Sequence, residues 1–203
     1  MKQSWAEAMP RHLPAVLALL LLAACETAPA ATQAQPGNAV KASVAQGGRF
    51  IVLAGPISQH APPYLGVPST NFYLLRSFID TRNGATTYQL YVEDSYPGAE
   101  RVWNAARLAT GEPLRFVPIS KNEITCELGC SYAEEFAAAL PEPLLRANPQ
   151  GLTVMFAARS GAQKAIAVSG DVVAKQLAAV DQARAMRPTP ATSPVPNPAP
   201  PPR

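Results

Sequence analysis

Apolar and polar residues alternate along much of the chain, with the period of two that is typical of half-buried β-strands. The clearest case is a pair of segments, residues 71–80 and 86–93, that are rich in aromatic and β-branched residues. They flank Arg82-Asn83-Gly84-Ala85, and Asn-Gly favours a type I′ turn because it tolerates two positive φ angles. The pattern predicts an antiparallel hairpin with that turn.

Other segments show the same period. The apolar run 49–54 lies between two pairs of turn-forming residues, and a second hairpin is expected from residues 101–109 and 113–119. Further strands are predicted at 152–159 and 164–168. One helix is predicted at 171–186, where apolar residues recur at helical spacing.

Segment 130–140 admits two interpretations. Alternation of Tyr132, Phe136 and Leu140 with polar or small residues favours a strand, whereas the alanine-rich stretch 134–140 contains good helix formers. We favour the strand. The chain is therefore predicted to be mainly β, an antiparallel β-sandwich or small barrel with one C-terminal helix.

This domain is expected to span residues 47–187, a usual size for one core. Residues 25–46 have no sustained apolar period and are expected to form a disordered tether. Residues 188–203 contain eight prolines and are expected to form a disordered tail that samples polyproline II.

The N-terminus has the features of a secretory signal. An apolar run of about twelve residues from Leu13 is too short to span a membrane and follows the basic residues Lys2 and Arg11. Met9 is an alternative start to Met1. The run ends in Leu22-Ala23-Ala24-Cys25, which resembles the lipobox of bacterial lipoproteins.

That resemblance implies removal of residues 1–24 and acylation of Cys25 with diacylglycerol and a further chain, which anchors a protein durably. Glu26 follows the cysteine, and similarity to Gram-negative lipoproteins then implies the outer membrane, facing the periplasm. An ordinary cleaved signal is the alternative. Without residues 1–24 the chain has 15 basic and 13 acidic residues, a balance that argues against a nucleic-acid partner.

Cys126 and Cys130 remain after Cys25 is assigned to lipid. Outside the cytoplasm a disulfide is the expected state, and its five-residue loop stabilises by about 2 kcal/mol. The alternative is a copper or redox site that includes His60, the one histidine of the mature chain. The predicted run of consecutive strands argues against that site, and no metal or cofactor is expected.

The two cysteines precede Ser131-Tyr132-Ala133-Glu134 and follow Trp103 and Gly111-Glu112-Pro113-Leu114. This arrangement resembles a group of uncharacterised proteobacterial envelope proteins over about residues 70–180. The resemblance implies an envelope location and carries no assigned activity.

No catalytic set is evident in the sequence. A serine nucleophile needs a histidine and an orienting group, and neither a nucleophile elbow nor a phosphate loop is present. Adjacent carboxylates, Glu93-Asp94 and Glu134-Glu135, point to opposite faces of a strand, so only one member of each pair can meet across strands. An enzyme is not expected.

The leading hypothesis is therefore a non-catalytic, lipid-anchored protein with an envelope protein partner or a maintenance role. The alternative is a periplasmic module that binds a small ligand, a glycan or copper. Its candidate binding residues are the aromatic, acidic and imidazole side chains Tyr73, Tyr88, Tyr91, Glu93, Glu134 and His60.

Overall fold

The computed structural model describes residues 38–127 and 129–186, and in them two antiparallel β-sheets pack face to face. The predicted mainly β class is confirmed. The two sheets form a sandwich and do not close into a barrel. The strands are β1 (Lys41–Ala45), β2 (Phe50–Ala54), β3 (Ser58–Gln59), β4 (Phe72–Asp80), β5 (Thr86–Pro97), β6 (Trp103–Leu108), β7 (Pro113–Leu114), β8 (Phe116–Thr125), β9 (Ser131–Leu140), β10 (Gly151–Ala158) and β11 (Gln163–Ser169).

The larger sheet has the strand order β1-β2-β4-β5-β9-β8, with β3 paired to one end of β4. The smaller sheet has the order β11-β10-β6-β7. Helix α1 (Glu142–Ala147) links β9 to β10, a 3-10 turn (Tyr64–Gly66) precedes β4, and helix α2 (Gly170–Ala185) follows β11.

The predicted hairpin is present as β4 and β5, but its turn is not type I′. Gly84 has a φ of 77°, whereas Asn83 is not among the residues with positive φ. The Asp80 carboxylate accepts a hydrogen bond from the Arg82 backbone N–H (2.9 Å), and Gly84 N–H donates to the Asp80 carbonyl (2.8 Å). An aspartate at the end of the strand therefore directs a longer turn than the Asn-Gly pair alone favours.

The second predicted hairpin is correct only at its start. β6 pairs with the two-residue strand β7, and the chain then leaves the smaller sheet. From Phe116 onward it pairs with β9 in the larger sheet as β8. The predicted single strand at 113–119 is thus two strands, one in each sheet.

Segment 131–140 is the strand β9, as favoured from its alternation. Phe136 lies in the centre of the core, with its ring centroid 4.9 Å from that of Phe156 and 5.2 Å from that of Trp103. Its alanines allow close packing: Ala137 and Ala138 are fully buried. Cross-strand packing of aromatic residues overrides the helix propensity of the alanines here.

Helix α2 confirms the predicted C-terminal helix. Its N-terminus is capped by Ser169, whose hydroxyl oxygen accepts from the Val172 N–H. The helix packs against β2 and β4 of the larger sheet and against β10 and β11 of the smaller one. Gln176 is fully buried in this interface, and its amide donates to the Leu53 carbonyl (3.0 Å) and the Ser77 hydroxyl (2.8 Å).

The folded region begins earlier than predicted. β1 lies within residues 25–46, which the sequence analysis assigns to the tether, and it pairs along its whole length with β2. The strand escaped prediction because it is an exposed edge strand whose only large apolar residue, Val44, points to solvent. The signal segment, Cys25 and the tail 188–203 lie outside the described residues. The described helices are all too short or too polar to cross a bilayer.

Candidate functional site

The four carboxylates of the two acidic pairs lie side by side on β5 and β9. Asp94 is the direct cross-strand neighbour of Glu134, and Glu93 is the neighbour of Glu135. Because side chains alternate along a strand, Asp94 and Glu134 point between the sheets, whereas Glu93 and Glu135 point to the outer face of the larger sheet. We call Asp94 and Glu134 the inter-sheet carboxylate pair.

Asp94 is 1% exposed and is surrounded by donors. One of its oxygens accepts from the Trp103 indole N–H (2.9 Å) and the Arg101 guanidinium (2.9 Å). The other lies 2.9 Å from the Lys164 ammonium on β11. Asp94 therefore joins β5 of the larger sheet to two elements of the smaller sheet.

Glu134 is 5% exposed and holds the backbone where the chain enters β6. Its oxygens accept from the Val102 N–H (3.0 Å), the Trp103 N–H (3.1 Å) and the Tyr96 hydroxyl. Val102 has a φ of 57°, a strained value for a β-branched residue. Burial and the Glu134 hydrogen bond raise the pKa of Tyr96, so it remains a donor.

Both inter-sheet carboxylates are thus engaged in joining the two sheets. The Arg101 guanidinium adds a cation–π contact, 3.9 Å from the centroid of the Tyr96 ring. Glu134 also borders a cleft of about 390 Å³ whose wall includes Trp103 and Phe116. Its oxygens, however, already accept hydrogen bonds from Tyr96 and from the backbone at the entry to β6, an arrangement that fixes their position.

His60 belongs to the same polar network. One ring nitrogen, Nε2, lies 2.7 Å from the Glu93 carbonyl oxygen, and Nδ1 lies 3.1 Å from the Lys164 ammonium. The carbonyl requires Nε2 to be the donor, so Nδ1 accepts from Lys164 and the ring is neutral. Burial first, and then the Lys164 charge, lower the pKa of His60.

Glu93 lies on the outer face but is covered by the segment before β4. Its carboxylate accepts from the Asn71 N–H and the Ser95 hydroxyl. The Asn71 side chain accepts from the Ser95 N–H (3.0 Å) and donates to the Pro62 carbonyl (2.9 Å). Burial raises the pKa of Glu93. Asn71 therefore holds the 56–71 segment over one end of the sheet.

The outer face of the larger sheet carries a row of half-buried aromatic and polar side chains on β4 and β5. The Phe72 and Tyr91 rings lie 5.8 Å apart, and the Arg76 guanidinium lies 4.6 Å from the Tyr91 centroid and 5.3 Å from that of Phe78. Arg76 Nε donates to Gln89 (3.0 Å). We call these five side chains the outer-face strip: Phe72, Arg76, Phe78, Gln89 and Tyr91.

Among the described residues, no carboxylate lies within 4 Å of the Arg76 guanidinium nitrogens. Its terminal amino groups therefore remain available to an acceptor from outside the domain. Burial against the strip lowers the pKa of Arg76, which stays charged because the ordinary value is so high. None of the described helices packs on this face, since α2 lies between the sheets.

The remaining predicted tyrosines do not join the strip. Tyr73 and Tyr88 point between the sheets, where Tyr88 is buried and the Tyr73 hydroxyl donates to the Ala167 carbonyl (2.9 Å). The candidate residues thus separate into two groups on opposite faces of the larger sheet. One group contains Glu134, Tyr73 and Tyr88, and the other contains Glu93 and Tyr91. They do not line one concavity.

Cys126 and Cys130 form a disulfide in the turn between β8 and β9, as expected. Gly129 within this loop has a φ of 114°, a value that favours glycine. Within residues 38–127 and 129–186, no three acidic, cysteine or histidine side chains cluster as a metal site would require.

Sequence reasoning missed Arg76, Lys164 and Asn71 as members of these networks. Arg76 carried a signal, because it is the one charged residue inside the apolar run from Phe72 to Ile79. Comparison of the chain with protein-family models, curated proteins and solved structures finds no match to any of them.

Proposed function

We propose that this protein is a non-catalytic, lipid-anchored protein of the bacterial outer membrane. Its sandwich domain faces the periplasm and binds an envelope protein partner through the outer-face strip. The lipobox-like ending at Cys25 supports the anchor. The observation that carries the binding role is the Arg76 guanidinium, half-buried between two aromatic rings and without an ion-pair partner among the described residues.

The chemistry of the strip favours an extended peptide segment. Apolar side chains pack against aromatic faces, and the terminal guanidinium N–H groups donate to carbonyl or carboxylate oxygens. A strand row from Phe72 to Phe78 spans about 20 Å, which matches six or seven residues of an extended chain. The inter-sheet carboxylate pair has a different role, since both members hold the sheets together.

In-vivo photo-crosslinking tests this role. A photoreactive phenylalanine analogue at Gln89, in the centre of the strip, is expected to capture a specific envelope protein. The same analogue at Gln163, an exposed position on β11, is the matched control. Arg76→Ala is expected to reduce the Gln89 product several-fold. Equal capture from both positions would contradict the proposal.

The anchor is tested separately by mass spectrometry of the N-terminal peptide and by membrane fractionation. A diacylglycerol and an acyl chain on Cys25, lost in Cys25→Ser, are expected. Titration with soluble wall glycans addresses the alternative role. Glycan binding that Tyr91→Ala abolishes would replace the protein partner with a carbohydrate.

A further inference from the structure

We infer that the apolar tip of the 56–71 segment inserts into the surface of the lipid bilayer that holds the anchor of the protein. The tip consists of Leu65 and Val67, whose exposed fractions are 78% and 46%. The inference rests on the anchor proposed at Cys25 and adds a second membrane contact, made by the domain itself. The tip has a fixed backbone, carries no charge and lies at the end of the domain where the chain enters.

Hydrogen bonds within the segment hold the tip in a closed loop. The His60 N–H donates to the Asn71 carbonyl (3.0 Å) and joins the two ends of the loop. Inside it, the Thr70 hydroxyl accepts from the Tyr64 N–H (2.7 Å) and donates to the Val67 carbonyl (2.6 Å). The exposed apolar side chains are therefore presented by a backbone that is ordered before any contact is made.

Leu65 occupies a strained backbone conformation at this tip. Its φ is 51°, a value that a leucine rarely adopts and that asparagine adopts more readily. A polar residue here would be less strained and better solvated than the leucine that the loop exposes. An exposed apolar side chain held under strain indicates a contact with an apolar medium outside the domain.

The backbone of the loop suits a bilayer surface, because few of its donors need water. Three of the nine residues from 62 to 70 are prolines, which have no N–H. At most two further N–H groups remain for headgroups or water, since four donate within the loop: those of Tyr64, Gly66, Val67 and Thr70. Interfacial contacts place apolar side chains about 5–10 Å deep, where such acceptors are still present.

Insertion of the tip desolvates no charge. Residues 50–75 contain no aspartate, glutamate, lysine or arginine, and their one histidine, His60, is neutral because it accepts from Lys164. Leu65 borders a depression of about 500 Å³ beside the disulfide turn. Glu127 is the one charged side chain among the described residues that line this depression. The surface around the tip therefore favours zwitterionic over anionic headgroups.

The chain enters the domain at the end that carries the tip. Lys41, at the start of β1, pairs with Ala54, after which the 56–71 segment begins, and Ala39 and Ile57 line one cavity of about 220 Å³. Ile57 is also exposed, by 61%. Cys25 precedes the first described residue by thirteen positions. The opposite end instead carries ion-paired side chains, at the β4–β5 turn and in the last turn of α2.

The test uses the full-length lipidated protein in phosphatidylcholine vesicles, with the fluorophore NBD on a cysteine introduced by Ser69→Cys beside the tip. This cysteine is the one free thiol when Cys25 is acylated and the disulfide is intact. A nitroxide near the top of the lipid acyl chains is expected to quench the fluorophore. The same fluorophore introduced by Ala85→Cys, in the β4–β5 turn at the opposite end, is the matched control and is expected to stay unquenched.

Two substitutions at Leu65 separate apolar insertion from mere proximity. Leu65→Asn suits the positive φ and is expected to lower the ratio of inserted to free tip by about tenfold, the factor by which burial of a leucine side chain favours its transfer from water. Leu65→Met keeps the apolar character and is expected to keep the quenching. Quenching that is absent, unchanged in Leu65→Asn or dependent on anionic lipid overturns the inference.

Vesicle flotation and mass spectrometry of Cys25 separate this inference from the proposed anchor. Acylated protein that floats without quenching at residue 69 rejects the insertion and keeps the anchor, whereas protein without acyl chains rejects both. A photoreactive phenylalanine analogue at Leu65 in cells distinguishes the possible occupants. Lipid adducts support the inference, and products with another protein or a second copy in place of lipid overturn it.

Discussion

Asp94 and Glu134 are direct neighbours on two adjacent strands, and both carboxylates are buried. Asp94 forms ion pairs with Lys164 of the smaller sheet and with Arg101 of the loop before β6. Glu134 accepts hydrogen bonds from the Val102 and Trp103 N–H groups at the entry to β6 and from the Tyr96 hydroxyl on β5. This pair therefore fixes how the two sheets are joined, because removal of either carboxylate leaves buried donors without acceptors.

Asp94→Ala is expected to destabilise the protein by about 3 kcal/mol, because it leaves the Lys164 charge without a carboxylate and the Trp103 indole N–H without its acceptor. Urea unfolding followed by tryptophan fluorescence measures the change. Glu123→Gln on exposed β8 is the matched control and is expected to have little effect. A similar small change in both variants would contradict the role of Asp94.

Asn71→Ala is expected to cost about 3 kcal/mol, because Ser95 N–H and the Pro62 carbonyl lose their partners and alanine is strained at a φ of 58°. Asn71→Gly keeps the backbone conformation and loses the same hydrogen bonds. The glycine variant is expected to be about 1 kcal/mol more stable than the alanine variant. If the alanine variant is equally stable, the strain at this position contributes nothing.

The contribution of His60 to the stability of the protein is expected to fall as the pH decreases below about 6.5. The pKa of folded His60 is lowered by burial, so in this range the unfolded chain binds a proton that the folded protein does not. Above pH 6.5 the residue contributes no pH dependence. Unfolding midpoints between pH 7.5 and 5 are the measurement, and His60→Gln should flatten the curve there.

A second loss of stability is expected at lower pH, and a different residue causes it. The Arg184 and Arg146 guanidinium groups, against the effect of partial burial, lower the pKa of Glu142 to about 2. Its stabilisation is complete above about pH 4.5 and is lost as the pH falls towards 2. Glu142→Gln should reduce this lower part of the pH dependence, leaving the part that comes from Asp80, whose pKa is lowered by Arg82, and the His60 part unchanged.

Gly151→Ala is expected to destabilise the protein by about 3 kcal/mol or more, since φ is 101° and a β-carbon would lie 2.2 Å from the Val168 carbonyl oxygen. Gly161 is the matched control. Its φ is also positive, 87°, but its β-carbon would meet open space. Gly161→Ala is expected to cost about 1 kcal/mol, as backbone strain alone requires. Thermal unfolding of both variants separates strain from steric overlap.

Reduction of the Cys126–Cys130 disulfide is expected to lower the free energy of unfolding by about 2 kcal/mol without loss of the fold, because the closed loop is short. The Cys126→Ser, Cys130→Ser double variant should behave like the reduced protein. Alkylation mass spectrometry of the native protein should find both thiols protected. Free thiols in the native protein would contradict the disulfide.

Most strands and the final helix could be predicted from the period of apolar residues, and β9 is an example. Its alternation of Tyr132, Phe136 and Leu140 sets the face of the strand even though its alanines favour a helix. The predicted type I′ turn of the hairpin was wrong, because the Asp80 side chain, and not only Asn83-Gly84, determines the hydrogen bonds of the turn. The crossing of the chain between sheets at Arg115 has no local sequence signal.

The candidate site could not be predicted from the sequence alone, because it depends on the register between strands that are distant in the chain. The sequence shows that one carboxylate of each acidic pair faces inward, but only the pairing of β5 with β9 places Asp94 beside Glu134. Lys164 reaches Asp94 from a strand 70 residues later in the chain. In the same way, the strip depends on the pairing of β4 with β5, which brings Arg76 beside Gln89.

The position of β1 has a mechanical consequence. Force that enters from the N-terminal segment acts first on Lys41, at the end of an edge strand that pairs only with β2. A pull away from the sheet opens the hydrogen bonds of such a pair one after another, and not all at once as in shear. Detachment of residues 41–49 would lengthen the connection by about 30 Å. The edge strand can thus extend under load while β2 and the rest of the sandwich remain folded.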